Sequence, residues 1–184
     1  PVVFRKAKEL GAGIIITSSH NPLEWNGLKF IIDGRGITEK ELEIVKNESN
    51  SNKSKLGTES VGEVNYVSEA IEVIGKIEQE KQVTVDIGGG AAKYVAPELL
   101  RGIGCQVTTI NEELDECTRG PDPTSDKLTE LIDKTKDIGF AFDLDSDRMI
   151  LVLNGEKKSS DITLGLGVVK AIKLGIKKFV LSLD

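Results

Sequence analysis

The sequence has little cysteine, a single histidine, no surplus of positive charge and no long apolar run. Each shortage excludes something. Cys105 and Cys117 form no CxxC pair and have no histidine beside them, which argues against a zinc site and leaves two reduced thiols as the plain reading. The formal net charge is −6 over 184 residues. A general nucleic-acid binder needs a basic face to neutralise phosphates, so that class is disfavoured, whereas a small anionic ligand could still find a locally positive pocket. No apolar stretch reaches the roughly 18–20 residues that span a bilayer, and no signal peptide is evident, so the reading is a cytoplasmic protein with no membrane partner. The hydrophobic share of 39% and charged share of 29% are those of a globular chain of one ordinary domain or two small ones.

What is present is an alternation of helical and extended patterns. Val3, Ala7 and Leu10 recur at helical spacing and Gly11 ends them. Gly13 to Ile16 reads as a buried strand, Thr17 to Gly27 as a polar loop, Leu28 to Ile32 as a second strand, and Asp33-Gly34-Arg35-Gly36 as a turn. Thr38 and Glu41 form a capping box for a helix to about Lys46. Asn47 to Gly57 is polar and reads as an exposed connector, and a helix spans about Val67 to Ile77.

The pattern then restarts. Strand Val83–Ile87 leads into Gly88-Gly89-Gly90 and a helix to Ile103. Strand Cys105–Ile110, helix Ser125–Lys136, strand Ile138–Phe142, a polar loop, and strand Met149–Leu153 follow. Asp161 is expected to cap a last helix, and Lys178–Leu183 to form a last buried strand. The class is α/β. A boundary near Lys81 divides residues 1–80 from 81–184. The first unit looks incomplete, and the ends at Pro1 and at an apolar run suggest a piece of a longer chain.

In α/β sheets, ligand sites lie in loops beyond the carboxyl ends of strands. Two loops fit. Thr17-Ser18-Ser19-His20-Asn21-Pro22 holds three hydroxyls and the chain's histidine. A serine beside a histidine can be an activated nucleophile, and a phosphorylated serine would be a phosphoryl donor; the same residues also make an ordinary polar turn ending at proline. Asp143-Leu144-Asp145-Ser146-Asp147-Arg148 follows the apolar end Phe140-Ala141-Phe142. Its alternate carboxylates point to one side of an extended segment and would repel one another unless a hard divalent cation such as Mg²⁺ joined them; the plain alternative is a solvated acidic turn. A calcium EF-hand fits poorly, since Arg148 and Asn154 stand where it needs glycine and glutamate. Gly88-Gly89-Gly90 could cradle a phosphate, but with Lys93 in place of a third spaced glycine a tight strand-to-helix connection is favoured.

Taken together, the loops resemble a known family. Thr17 to Pro22 resembles the T-A-S-H-N-P signature of the α-D-phosphohexomutases, and the likeness continues through Asn26-Gly27-Leu28-Lys29. Asp143 to Arg148 resembles that family's D-G-D-G-D-R magnesium loop. Val85 to Gly90, Ala96 to Leu100 and Gly120-Pro121-Asp122-Pro123-Thr124 resemble parts of its second domain. The resemblance implies mixed sheets sandwiched by helices, with this chain as part of domain one plus domain two of four. It implies transfer of phosphate between O1 and O6 of a hexose phosphate through a phosphoserine and a hexose bisphosphate. Ser19 would be the phosphoserine; Asp143, Asp145 and Asp147, with a phosphoserine oxygen of Ser19, would hold Mg²⁺. His20, Lys29 and Arg148 would stand near the transferred group. The remaining domains of the full enzyme would be partners, and this piece alone is expected to lack turnover.

Ser18 stands where the signature has alanine, and Leu144 and Ser146 replace both glycines of the metal loop. If those positions need positive φ, Leu144 would be strained. Two other readings compete. Asp143-Leu144-Asp145 also looks like the D-x-D nucleophile motif of haloacid-dehalogenase-type phosphatases, with Asp143 phosphorylated. That motif wants Thr or Val where Asp147 stands, and it leaves Thr17 to Pro22 unexplained. The other alternative is a non-catalytic metal-binding module.

Overall fold

The structure, a computed structural model, describes residues 1–48, 58–62 and 64–180. It contains two sheets. In the first, helix α1 (Val2–Leu10) packs on a three-stranded sheet of β1 (Ala12–Ile16), β2 (Leu28–Ile32) and β3 (Arg35–Gly36), all antiparallel. The register runs from Ala12 opposite Ile32 to Ile16 opposite Leu28. The expected turn at Asp33 to Gly36 is thus only Asp33-Gly34; the next two residues pair back on β2 as β3. The expected burial of β1 is half realised. Ala7 and Ile31 are buried, but Ile14 is 55% and Ile16 73% exposed, because α1 covers one face of the sheet and side chains alternate across it. α2 (Glu39–Glu48) opens on the expected capping box. The Thr38 N–H donates to Glu41 Oε2 at 2.7 Å, and the Glu41 N–H returns to Thr38 Oγ1 at 3.4 Å. Of the expected connector, Asn47 and Glu48 complete α2, and 49–57 lie outside the described residues.

The second sheet has the order β5-β4-β6-β7-β8, from β4 (Gln82–Asp86), β5 (Gln106–Ile110), β6 (Ile138–Phe142), β7 (Met149–Leu153) and β8 (Glu156–Lys157). β4 is parallel to β5 and β6, while β7 and β8 run antiparallel, so the sheet is mixed. Alternation sorts its side chains into two cores. Val83, Val85, Ile87 and Ala92 pack with Phe140 and Phe142 beneath a 3₁₀ turn (Ala91–Tyr94) and α4 (Ala96–Gly102). Ile110, Leu128, Leu131, Ala141, Ile150 and Val152 form the other core, beneath α5 (Thr129–Lys134). Each buried aliphatic side chain contributes roughly 1.5–3 kcal/mol. α3 (Tyr66–Ile74) packs on α4, and the Ile77 N–H donates to the Ile103 carbonyl at 2.9 Å.

Three expectations about elements change. The helix expected over Ser125–Lys136 is only α5, because Leu128 takes a left-handed φ of 55°, with its N–H on Asp126 Oδ1, and interrupts the helical path. The last helix, α6 (Ser160–Lys173), has Ser159 rather than Asp161 at its N-cap. No strand forms over 178–180, and 181–184 lie outside the described residues; Val180 is almost fully exposed. Among the described residues no helix is long and apolar enough to cross a membrane.

Candidate active site

β4, β5 and β6 are parallel, so their carboxyl ends share one edge of the sheet. The loop after β6 begins at Asp143, which is 0% exposed. Its Oδ1 accepts the Arg148 N–H at 3.2 Å; its Oδ2 is buried and has no hydrogen-bond partner among the described residues. Asp145 follows with Oδ1 equally unpartnered. One oxygen from each of Asp143, Asp145 and Asp147 lies within 4.8 Å of the others, a spacing at which a single cation could touch all three. Buried polar atoms without partners are costly, and a cation is what would satisfy these. The donor set is all carboxylate oxygen, which suits a hard divalent ion.

Burial pushes the Asp143 carboxyl up to about 6; the Arg148 N–H pulls it down, and the Asp145 and Asp147 charges add to the rise. Burial also acts upward on Asp145, but the Lys29 ammonium and the Thr17 hydroxyl outweigh it and hold this carboxyl below its ordinary value. Lys29 is its mirror: burial acts downward, yet Asp145 and Asp147 keep it above its ordinary value and protonated.

The backbone of this loop settles the question raised by its missing glycines. Ser146, not Leu144, takes positive φ (60°), and Leu144 is unstrained. The Leu144 carbonyl accepts the Ala91 N–H at 2.8 Å. A Cβ at Gly90 would lie 2.6 Å from that carbonyl oxygen. The Gly88-Gly89-Gly90 turn therefore lets the β4 connection back directly against the acidic loop, in keeping with a tight connection rather than a phosphate cradle.

The serine loop comes to the same place from the other sheet. Its neck is closed by the Thr17 N–H on the Gly27 carbonyl at 3.0 Å. Ser19 has a φ of 55°, uncommon for a non-glycine residue, and its Oγ stands 3.2 Å from His20 Nδ1. Lys29, on β2, donates to Asp145 Oδ2 at 2.7 Å and to Asp147 Oδ2 at 3.0 Å. Thr17 Oγ1 donates to Asp145 Oδ2 at 3.0 Å, across 128 positions of sequence. Arg148 faces Asp122 at 3.9 Å. Asp122 lies below its ordinary value: burial acts upward, but the Thr124 hydroxyl and N–H, with the nearby His20 and Arg148, prevail. The structure thus brings Lys29, Asp145 and Asp147 into direct contact, with Asp143 beside them and Ser19 and His20 on the adjoining loop.

Sequence reasoning quoted Thr17, Asp86 and Asp122 within its motifs but gave them no role of their own, and it passed over Arg119. Asp86 and Arg119 form an ion pair at 2.8 Å with side chains 2% and 4% exposed. Arg119 Nη2 also donates to the Phe142 carbonyl at 2.6 Å, one residue before Asp143. A carboxylate ending the apolar strand Val83–Asp86 signals a buried partner, but nothing local points to an arginine 33 positions away.

Residues 64–156 match the family model described as phosphoglucomutase/phosphomannomutase, alpha/beta/alpha domain II, which is half of the chain. The chain belongs to the phosphoglucomutase/phosphomannomutase family. Residues 1–56 match the model of domain I of the same family. A probable phosphoglucosamine mutase from Methanocella arvoryzae is 34% identical over 165 residues, covering 83% of this chain and 38% of the relative. A phosphomannomutase/phosphoglucomutase from Pseudomonas putida is 33% identical over 166 residues, covering 84% and 36%. The crystal structure of a phosphoglucomutase/phosphomannomutase family protein from Burkholderia thailandensis superposes with a TM-score of 0.70 at 25% identity, over 89% of this chain and 38% of that one. The chain spans little more than a third of the length of these relatives. The phosphatase alternative is not favoured, because both matched models belong to another family.

Proposed function

We propose that this chain carries the phosphoryl-transfer loops of a phosphohexomutase, which moves phosphate between O1 and O6 of a hexose phosphate. The observation that carries the reading is the direct hydrogen bonding of Asp145 in the acidic loop by Thr17 of the serine loop and by Lys29 of β2. Ser19 is the phosphoryl carrier. In one half-reaction the Ser19 Oγ–P bond breaks as a sugar oxygen bonds to phosphorus, and the sugar hydroxyl's proton passes by way of His20 to the freed Ser19 Oγ. In the other, a sugar O–P bond of the bisphosphate breaks as its second phosphoryl group bonds to Ser19 Oγ, and the serine proton goes back to the freed sugar oxygen. His20, whose Nδ1 is in reach of Ser19 Oγ, serves as proton acceptor and donor there. Lys29 stays an ammonium and supplies charge to the phosphoryl oxygens. Arg148, anchored by Asp122, adds a second cation.

Asp143, Asp145 and Asp147, with an oxygen of phosphorylated Ser19, would hold Mg²⁺. Such an ion neutralises the charge that builds on phosphoryl oxygens during transfer. Residues 1–80 form the phosphoserine-loop unit and 81–184 the metal-loop unit, with α3 packed on the second. Hexose phosphates, hexose bisphosphates and the other domains of a four-domain enzyme are the partners, and the setting is cytoplasmic.

Intact-mass measurement with peptide mapping, after incubation with glucose 1,6-bisphosphate and Mg²⁺, tests the reading. One phosphate on Ser19, absent in Ser19→Ala, is expected. Phosphate on Asp143 instead would overturn it.

A further inference from the structure

The Thr17 hydroxyl stands at the junction of both loops; the reading above uses its bond to Asp145 only as contact between them and gives it no part in the transfer. Its Oγ1 accepts the Ser19 N–H at 2.8 Å and donates to Asp145 Oδ2 at 3.0 Å. The direction of both bonds is forced. A backbone N–H can only donate and an ionised carboxylate can only accept, so the single hydroxyl proton must point at Asp145 and a lone pair at Ser19. The Thr17 backbone is itself held, because its N–H closes the hairpin neck on Gly27 and a β-branched side chain has few χ1 choices. The hydroxyl therefore relates two loops whose residues lie 128 positions apart.

Two consequences follow from the geometry. At Ser19, the bond from its N–H holds a residue whose positive φ costs energy and needs support from its surroundings. At Asp145, Thr17 and Lys29 share Oδ2, which orients the carboxylate and leaves buried Oδ1 without a partner. We infer that Thr17 is a positioning residue that couples the backbone of Ser19 to the orientation of Asp145, so that the serine loop and the acidic loop respond as one unit. Its catalytic meaning rests on the mutase reading; the coupling itself does not.

NMR on this chain tests it. In the metal-free state, exchange of the Ser19 amide with water is compared for wild type, Thr17→Val, Thr17→Ser, Asp145→Ala and the Thr17→Val/Asp145→Ala pair. Thr17→Val keeps the side-chain shape and removes the hydroxyl; it should speed Ser19 exchange roughly three- to tenfold, the worth of one hydrogen bond. Thr17→Ser should restore protection. Asp145→Ala, which does not touch Ser19, should also speed exchange, and the double variant should be no faster than Thr17→Val alone. Unchanged Ser19 exchange in Asp145→Ala, additive effects in the double variant, or failure of Thr17→Ser to restore protection would each overturn the coupling.

A Mg²⁺ titration supplies a second reading. With Ser19 unphosphorylated, the Ser19 amide of wild type and Thr17→Ser should shift in step with the Ser146 and Asp147 amides; in Thr17→Val the latter should still move and Ser19 should not. A Ser19 amide that follows Mg²⁺ equally in Thr17→Val would also overturn the coupling. Wild-type Ser146 and Asp147 amides indifferent to Mg²⁺ would sink the metal part of the mutase reading, and the exchange measurement would still decide the role of Thr17.

Discussion

Asp143 shows how burial and charge act on one residue. Its folded carboxyl titrates near 6, against roughly 3.9 for an unfolded aspartate. The folded state therefore takes up the proton first as pH falls. The contribution to stability is complete below about 4 and is lost as pH rises through about 6. Urea unfolding of the chelator-treated chain should show this slope, and Asp143→Asn should abolish it and stabilise the metal-free chain at pH 7 by about 1–3 kcal/mol. The same variant should weaken Mg²⁺ binding, measured by calorimetry, because it removes a charged oxygen. At Arg119 the sign differs. Removing one member of its buried pair with Asp86 strands the other charge, so Arg119→Met should cost about 3–5 kcal/mol in a denaturant titration. It should also free the Phe142 carbonyl, which holds the entrance to the acidic loop.

At the scale of elements, the acidic loop is shaped by its neighbours. The turn after β4 presses Gly90 onto Leu144, and the Ala91 N–H holds the Leu144 carbonyl. Gly90 has a negative φ of −102°, so alanine there is acceptable to the backbone and objectionable only to Leu144. Gly90→Ala should displace the loop at a cost of roughly 1–3 kcal/mol, read as weaker Mg²⁺ binding with an unchanged far-UV circular dichroism spectrum. An unchanged affinity would mean that the turn does not shape the loop. Strands β4, β6 and β7 were legible to within a residue, because alternation and β-branched runs are local signals. The shortening of α5 was not, since Leu128 leaves the helical region while buried at 2% exposure in the core under that helix.

For the molecule as a whole, the serine loop on the first sheet reaches the acidic loop on the second through Thr17 and Asp145. The chain spans little more than a third of its relatives, and large apolar side chains such as Ile16, Trp25 and Leu166 are exposed on it. A coupled assay with glucose 1-phosphate or mannose 1-phosphate should register no turnover by this chain, even when Ser19 can be phosphorylated. Measurable turnover would show that the residues present suffice to grip the sugar.

The local sequence determined the alternation of strands and helices, the capping box at Thr38 and the two candidate loops, because these depend on neighbours a few positions apart. It also brought three carboxylates into one short segment, where their mutual repulsion favoured a cation over a solvated acidic turn. Only the tertiary structure decided that Lys29 and Thr17 reach Asp145, that Arg119 pairs with Asp86, and that Leu144 escapes strain while Ser146 takes the positive φ. Those outcomes depend on contacts between residues 33 to 128 positions apart and on which backbone the neighbouring turn leaves room for. No pattern along the chain encodes such contacts until the two sheets have packed.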